Sequence, residues 1–95
     1  NPLLLEVETQ EEVQEAVKVF PIPFNKNLTV SGYVASYQIV KLELYTMSGQ
    51  LIYTKYVQAQ KGKNFFEIEP DILAGVYLLQ IDMDGKTINR KVIKN

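Results

Sequence analysis

The chain has 95 residues, of which 46% are hydrophobic and 22% are charged, with ten Lys and Arg against eleven Asp and Glu. A chain of this size and composition forms one small domain, whose modest core leaves little room for an enclosed catalytic cavity. It contains neither Cys nor His, which excludes disulfides, thiolate nucleophiles and most zinc and triad sites. We therefore expect no enzyme activity.

The net charge of −1 conceals two oppositely charged ends. Residues 1–16 contain five Glu and no basic residue, whereas residues 85–95 contain no acid and four basic residues, Lys86, Arg90, Lys91 and Lys94. Four positive charges without interleaved aromatic residues do not indicate nucleic-acid binding. The longest apolar run, residues 76–79, is too short for a transmembrane segment. The start lacks the pattern of a signal peptide, so an exported protein would have this chain as a mature or excised part.

Residues 1–16 are predicted to be an acidic linker that precedes the folded part, residues 17–95. Thr9 to Val17 has an alternative interpretation as a short helix, with Thr9 as its N-cap and Glu12 at the capping-box position. Because the segment is short and acidic, the linker is favoured.

Glycine and proline divide residues 17–95 into runs of the length expected for β strands. The clearest run, residues 38–44, alternates Val40, Leu42 and Leu44 with charged side chains, which is the period of a strand with one buried face. In the run 51–57, Tyr53 and Tyr56 would point to opposite faces of a strand. The sequence therefore leaves open which of the two faces is buried. Seven strands are predicted, over residues 17–20, 27–30, 38–44, 51–57, 64–69, 76–83 and 87–93.

Three glycine-containing turns are predicted to join these strands into hairpins, at residues 47–50, 60–63 and 83–86. Asp84-Gly85 in the third turn is the strongest signal, because this pair readily supplies the positive φ angles of a type I′ turn. Seven short strands with turns about every 8–12 residues are typical of an antiparallel β-sandwich. The predicted fold is therefore all-β and immunoglobulin-like.

The acidic residues of the folded part give weak candidates for chemistry. Residues 82–85 resemble part of a calcium loop, but Lys91 would occupy the position that requires a bidentate Glu, so a hairpin turn is favoured. Glu67 and Glu69 are predicted to project from the outward face of one strand, where a solvated pair is favoured over a catalytic one. We assign no catalytic residue, no metal site and no cofactor.

Tyrosine is frequent, with six residues and no Trp. Tyrosines on a flat sheet face are suited to binding sugar rings or a partner protein. The favoured interpretation places Tyr45, Tyr53 and Tyr77 at the margin of the core, with their hydroxyl groups reaching water.

Three stretches, taken in order, carry a family resemblance. The first is Val19 to Asn25, which contains Pro21 and Pro23, and the second is Leu44 to Ile52, which contains Gly49. The third is Leu73 to Ile81, which contains Gly75-Val76-Tyr77. It is followed by Gly85-Lys86 and by the closing Arg90-Lys91-Val92-Ile93-Lys94. Together they resemble the C-terminal sorting domain of cargo proteins of the type IX (Por) secretion system of Bacteroidetes. Phe20, Ile22 and Thr46 depart from the pattern of that family.

The resemblance implies that the domain is an address for its parent protein. Such a domain is recognised in the periplasm, after the parent has crossed the inner membrane through a separate N-terminal signal. It then passes the outer-membrane translocon and is usually removed by a sortase-like peptidase that attaches the cargo to anionic lipopolysaccharide. The implied partners are the translocon, the shuttle and sortase components, and the N-terminal cargo domain of the same chain; the destination is the cell surface or the medium.

Residues 85–95 are expected to be the main recognition element, because a basic strand at the chain end offers an edge for pairing and charge to orient the encounter. Asn95 after Lys94 reads as a true terminus, and cleavage is expected within residues 1–16. The candidate recognition residues are Gly75, Val76, Tyr77, Gly85, Lys86, Arg90, Lys91, Val92, Ile93 and Lys94.

Pro21, Pro23 and Gly49 are assigned as structural motif residues. The two prolines suit the termination of an edge strand. Gly75 suits the turn that enters a core strand. The alternative function is an immunoglobulin-like accessory module that binds carbohydrate or a surface ligand, or that spaces domains. The oligomeric state is left open.

Overall fold

The computed structural model describes residues 17–95, which form seven β strands. They are β1 (Lys18–Phe20), β2 (Leu28–Val34), β3 (Gln38–Thr46), β4 (Leu51–Ala59), β5 (Gly62–Ile68), β6 (Gly75–Met83) and β7 (Lys86–Lys94). All seven predicted strands are present. This part of the chain has no helix that is long and apolar enough to cross a membrane. The linker and helix interpretations of residues 1–16 lie outside the described residues.

The strands form two antiparallel sheets, one of three strands in the order β1-β2-β5 and one of four in the order β4-β3-β6-β7. The predicted immunoglobulin-like sandwich is therefore confirmed. In a constant-type immunoglobulin domain the fourth strand joins the first, second and fifth. Here β4 pairs with β3 instead, so β4 and β7 are the two edges of the larger sheet.

The core lies between the sheets and follows the period-2 alternation of the strands. Val40, Leu42 and Leu44 are fully buried, as are Leu79 and Ile81 in the neighbouring strand. Burying an aliphatic side chain of this size contributes about 1.5–3 kcal/mol. The remaining buried apolar side chains are Val17, Phe24, Leu28, Val30, Val34, Ala59, Phe66, Ile68, Tyr77, Met83 and Val92.

Two of the three predicted hairpins are confirmed, and one is wrong. Residues 47–50 join β3 to β4, and residues 83–86 join β6 to β7 with φ angles of 54° at Asp84 and 69° at Gly85. Residues 60–63 instead carry the chain from one sheet to the other, because β4 and β5 belong to different sheets. Asn64 closes this connection by accepting from the Gln60 amide at 3.1 Å and donating to its carbonyl at 2.8 Å.

The chain changes sheets directly after the first strand. β1 pairs with β2 and ends at Phe20, directly before Pro21, as expected for a proline-terminated edge strand. Both Pro21 and Pro23 follow cis peptide bonds. The chain then crosses to the four-stranded sheet, where Phe24 forms a parallel bridge with Lys94.

Candidate recognition surface

The ten candidate recognition residues all lie on the β6–β7 hairpin, but at different heights. Gly75 faces Lys94 and Val76 faces Ile93, at what we call the distal end of the sandwich. Gly85 and Lys86 lie at the turn end, where β6 meets β7. A nine-residue strand is about 30 Å long. The structure therefore separates the candidates into a distal group and a turn group, with Arg90 and Lys91 between them.

Tyr77 organises the distal end from within the core. It is 9% exposed, and its hydroxyl donates to the carbonyl of Leu73, four residues earlier, at 2.6 Å. A tyrosine that bonds back to the chain before its own strand is the tyrosine corner of immunoglobulin-like sandwiches. The sequence interpretation placed this hydroxyl at water; the structure shows it donating to a carbonyl of the loop before β6, an acceptor that local sequence does not reveal.

Phe24 locks the last residues of β7 in place. Its side chain is fully buried, its amide donates to the Ile93 carbonyl at 2.8 Å, and its carbonyl accepts from the Asn95 amide at 2.9 Å. The Lys94 Nζ lies 5.9 Å from the centre of the ring. The sequence interpretation did not assign this role to Phe24. The available signal for this role was the position of Phe24, an apolar residue directly after the X-Pro-X-Pro break.

The distal end displays apolar side chains around this locked strand end. Leu73 is 84% exposed and Val76 is 40% exposed. Ile22 and Met47 are also exposed and lie in loops at the same end. Clustered exposed apolar groups mark contact surfaces on soluble domains.

The open edge of β7 carries its basic residues. Lys86 and Lys91 are exposed, whereas Arg90 is half-buried and its Nη2 donates to the Val17 carbonyl at 3.4 Å. Val92 is fully buried, so its side chain serves packing. Of the candidates, Val92 and Tyr77 belong to the core and the others reach the surface at least in part.

The turn end is held by Asp84. Its carboxylate accepts from the Gln38 Nε2 at 2.7 Å and from the Ala35 amide at 3.3 Å, while its own amide donates to the Gln38 Oε1 at 2.7 Å. These bonds tie the β6–β7 turn to the β2–β3 connection. The hairpin interpretation of residues 82–85 is confirmed, and residues 17–95 contain no cluster of three or more metal-binding side chains.

Gly49 lies in the β3–β4 turn with a φ of 94°. The Gly49 amide donates to the Thr46 carbonyl at 2.9 Å, and the Gln50 amide donates to the Thr46 Oγ1 at 3.1 Å. Thr46 therefore supplies a side-chain acceptor at the position where the family pattern has aspartate. The turn keeps its closing hydrogen bond despite the departure.

The outer face of the four-stranded sheet carries a polar cluster centred on Lys41. Its Nζ lies 3.2 Å from an Asp82 carboxylate oxygen and 3.4 Å from a Glu43 carboxylate oxygen. The hydrogen bond to Asp82, and then that to Glu43, raise the pKa of Lys41 above 10.5. Glu43 is 7% exposed, although its position predicts a solvated side chain. By contrast, Glu67 and Glu69 are exposed, as predicted.

Comparison with known proteins now identifies the family. Residues 18–95 match the family model described as "Secretion system C-terminal sorting domain". A search of curated proteins finds no match. Members of the matched family are sorting signals and are not known as enzymes. The match covers most of the chain and all seven strands, so the chain belongs to this family and is a C-terminal sorting domain of the type IX secretion system.

Proposed function

We propose that the secretion machinery reads this domain at the distal end and along the open edge of β7. The observation that carries the proposal is that β7 is an edge strand with four basic residues in nine. Before Ile93, where hydrogen bonding to Phe24 begins, this edge strand offers unpaired backbone groups to a partner strand, and positive charge orients the encounter with an acidic receptor.

The exposed apolar groups of the distal end complete this surface. Val76 faces Ile93 of β7, and Leu73 lies in the loop before β6, while Phe24 and Tyr77 hold the two strand ends from the core. An open depression of about 370 Å³ adjoins Lys94. In this arrangement the buried Phe24 and Tyr77 hold the distal end in shape, and the exposed side chains there contact the secretion machinery.

The start of the described part lies at the other end of the sandwich. Val17 packs at the turn end, close to the Met83 and Gly32 positions. The distal end is therefore remote from Val17. In the proposed path, this end meets shuttle and translocon components in the periplasm, and the domain directs the cargo outwards through the outer membrane.

Export of a reporter tests this function. We would fuse a fluorescent protein before residue 1 and express it in hosts with and without the type IX apparatus. The intact chain should secrete the reporter only when the apparatus is present. Deletion of residues 91–95 should abolish export; unchanged secretion of this deletion would refute the proposed role of β7.

Charge reversal separates recognition from folding. Lys86→Glu with Lys91→Glu changes two exposed side chains of β7 and should strongly reduce export. Lys61→Glu with Lys63→Glu makes the same change in net charge on the opposite side of the sandwich and should leave export near the level of the unaltered chain. Equal losses in both double variants would show that net charge, and not the β7 edge, is read.

Residues 1–16 are the proposed site of removal by a sortase-like peptidase. The family role supports a cut between cargo and sorting domain, and an acidic linker, which the sequence predicts for this segment, is a typical substrate for a peptidase. Mass spectrometry of the mature cargo should find its C-terminus within or before this segment. A C-terminus inside residues 20–95 would contradict the proposal.

A second candidate function is glycan binding at the outer face of the three-stranded sheet. Tyr33 is 60% exposed and Phe65 is 64% exposed, on adjacent strands and on the same face. Exposed aromatic rings of this kind can stack against sugars. Retention of the domain on the mature surface protein, together with loss of glycan binding in Tyr33→Ala, would support this role.

A further inference from the structure

The outer face of the four-stranded sheet is divided into a polar half and an apolar half. The polar cluster centred on Lys41 occupies the half nearer the turn end. Towards the distal end, Tyr45 of β3 lies opposite Leu78 of β6, and Val76 of β6 lies opposite Ile93 of β7. All four point outwards, because the residues that alternate with them form the core. We call these four residues the apolar half.

A depression of about 210 Å³ opens in the apolar half. It is lined by Tyr45, Leu78 and the exposed Met47, together with Thr46, Gly49 and Gln80. Sites for small molecules commonly enclose about 300–1,000 Å³. This smaller depression therefore suits a single apolar side chain of a partner protein better than a separate ligand.

One unneutralised charge borders the apolar half. Lys91 faces Leu78 across the β6–β7 pair and is exposed. Between residues 17 and 95, no carboxylate lies within ion-pair distance of its ammonium group. The acids of this face, Glu43 and Asp82, pair with Lys41, and those of the loop after β5 line a different depression. Lys91 is thus placed to attract a carboxylate from outside.

A second copy of the chain does not supply that carboxylate. On this face the acidic side chains that the structure describes are Glu43 and Asp82, and both are already paired. Packing two copies face to face would take both Lys91 ammonium groups out of water without a counter-charge, which is unfavourable. A different protein that brings its own carboxylate avoids this penalty.

We propose that the apolar half is a docking site for an extended acidic segment of a partner protein. An apolar side chain of that segment enters the depression over Leu78, and a carboxylate two residues away faces Lys91. The two features match in spacing. Side chains two residues apart on an extended segment are about 7 Å apart, whereas Lys91 lies one strand from Leu78, about 5 Å, and has a flexible side chain. The proposal rests on the proposed function in taking the partner from the secretion machinery.

The two contacts have different effects on binding. A buried apolar anchor in a pocket supplies most of the affinity of such interfaces. The exposed ion pair contributes less affinity, but it selects acidic partners and orients the encounter. Loss of the apolar contact should therefore weaken docking more than loss of the charge.

Photo-cross-linking from the rim of the depression tests the proposal. Met47→benzoylphenylalanine, in the full chain behind the fluorescent reporter, should cross-link to a component of the machinery when the apparatus is present. Mass spectrometry of the cross-linked peptide should find Asp or Glu close to the attachment point. Tyr56→benzoylphenylalanine is the matched control, because Tyr56 is 66% exposed and lies opposite Lys41 in the polar half. It should give no such cross-link.

Three results would overturn the docking site. They are equal yields from the two positions, no cross-link from either, and a cross-linked peptide that lacks an acidic residue or comes from a second copy of this chain. In a host without the apparatus the cross-link should be absent. A cross-link of equal yield in that host would overturn the assignment of the partner to the secretion machinery.

Charge variants of the cross-linking chain test the contact of Lys91. Lys91→Glu changes an exposed side chain outside the core and should lower the yield from position 47 about fivefold, because an attraction becomes a repulsion. Lys91→Arg keeps the charge and should keep the yield. Lys61→Glu makes the same charge change as Lys91→Glu in the β4–β5 connection and should also keep it. An unchanged yield in Lys91→Glu would overturn the charge contact.

Secretion measured in the same cells separates this proposal from the proposed function. Export of the reporter without any cross-link from position 47 would refute the docking site and leave the sorting function standing. Failure of the unaltered chain to export the reporter would instead refute the sorting function.

Discussion

The two edges of the four-stranded sheet differ in charge and in how they are held. β7 has four basic residues, is locked by Phe24 at the distal end and is tied through Asp84 at the turn end. β4 has only Lys55 and pairs with β3 alone within its sheet. Unprotected edges invite pairing with other chains, and sheets resist this with charge, proline or covering segments.

Lys55 shows that one charged residue is enough to protect an edge strand. It lies opposite Leu42 on the inward side of β4, and its ammonium reaches the edge of β5. An inward-pointing lysine on an edge strand opposes edge-to-edge pairing. One such lysine protects the nine-residue edge strand β4 from pairing with other chains. Protection from pairing therefore does not require four basic residues on β7, and this favours a role for them in recognition.

The largest expected effect comes from removing the lock on β7. Phe24→Ala deletes a fully buried ring and should lower the free energy of unfolding by about 3–5 kcal/mol. The distal backbone amides, including that of Asn95, should exchange faster with solvent. Denaturant titration and hydrogen exchange measure the two effects.

A substitution on the other edge is the control for this prediction. Tyr56→Ala removes a ring of β4 that is 66% exposed, and should change stability by no more than about 0.5 kcal/mol. Equal losses of stability in the two alanine variants would show that β4 and β7 do not differ in how firmly they are anchored.

The second effect concerns the turn end of β7. Asp84→Ala removes acceptors for Gln38 and Ala35 and should cost about 1–2 kcal/mol. Asp84→Asn keeps an acceptor oxygen and tolerates the positive φ at this position, so it should cost less. Thermal denaturation of both variants checks the order; equal losses would mean that the acceptor oxygen and the tolerance of positive φ that asparagine keeps contribute nothing measurable.

The third effect tests the protection of β4. Lys55→Thr leaves a long edge strand without charge, and should raise the weight-average mass in sedimentation as protein concentration increases. Lys91→Thr leaves three basic residues on β7 and should behave as the unaltered chain does. Lack of added association in Lys55→Thr would show that this lysine does not guard the edge.

The strands could be predicted from the sequence because alternation is a local property. Val40, Leu42 and Leu44 mark a buried face whichever strands lie beside them. The pairing of strands is not local, and this explains the error at residues 60–63, where a glycine turn serves equally well between sheets. Nothing in that turn specifies whether β5 returns alongside β4.

The sequence indicates which residue types the candidate surface contains, but not how the fold arranges them. The basic residues of β7 could be read directly, whereas the contact of Phe24 with Ile93 joins residues about seventy positions apart. The hydrogen bond from Tyr77 to Leu73 is short in sequence, but it depends on the conformation of the loop before β6. Glu43 is buried for a similar reason, because Lys41 and Asp82 come together only in the folded sheet.

The smallest expected effect is a stability change at alkaline pH that originates on the β3–β4 side of the sheet. Hydrogen bonding to Asp82 raises the pKa of Lys41 above 10.5, and burial raises the pKa values of Tyr45 and Tyr53 above 10.0. Groups that hold their protons more tightly in the folded state stabilise it fully below their unfolded pKa values. That contribution is lost as pH rises through the folded values.

The free energy of unfolding should therefore be steady up to about pH 9 and should fall above about pH 10, near the ordinary pKa values of tyrosine and lysine. Denaturant titrations across this range measure the slope. Lys41→Met and Tyr53→Phe should each make the alkaline slope shallower, because each removes one of the groups whose raised pKa causes it. Thr54→Val, a change to a side chain of β4 that does not titrate, should leave it unchanged. An alkaline slope that is identical in all three variants would show that neither Lys41 nor Tyr53 contributes to it.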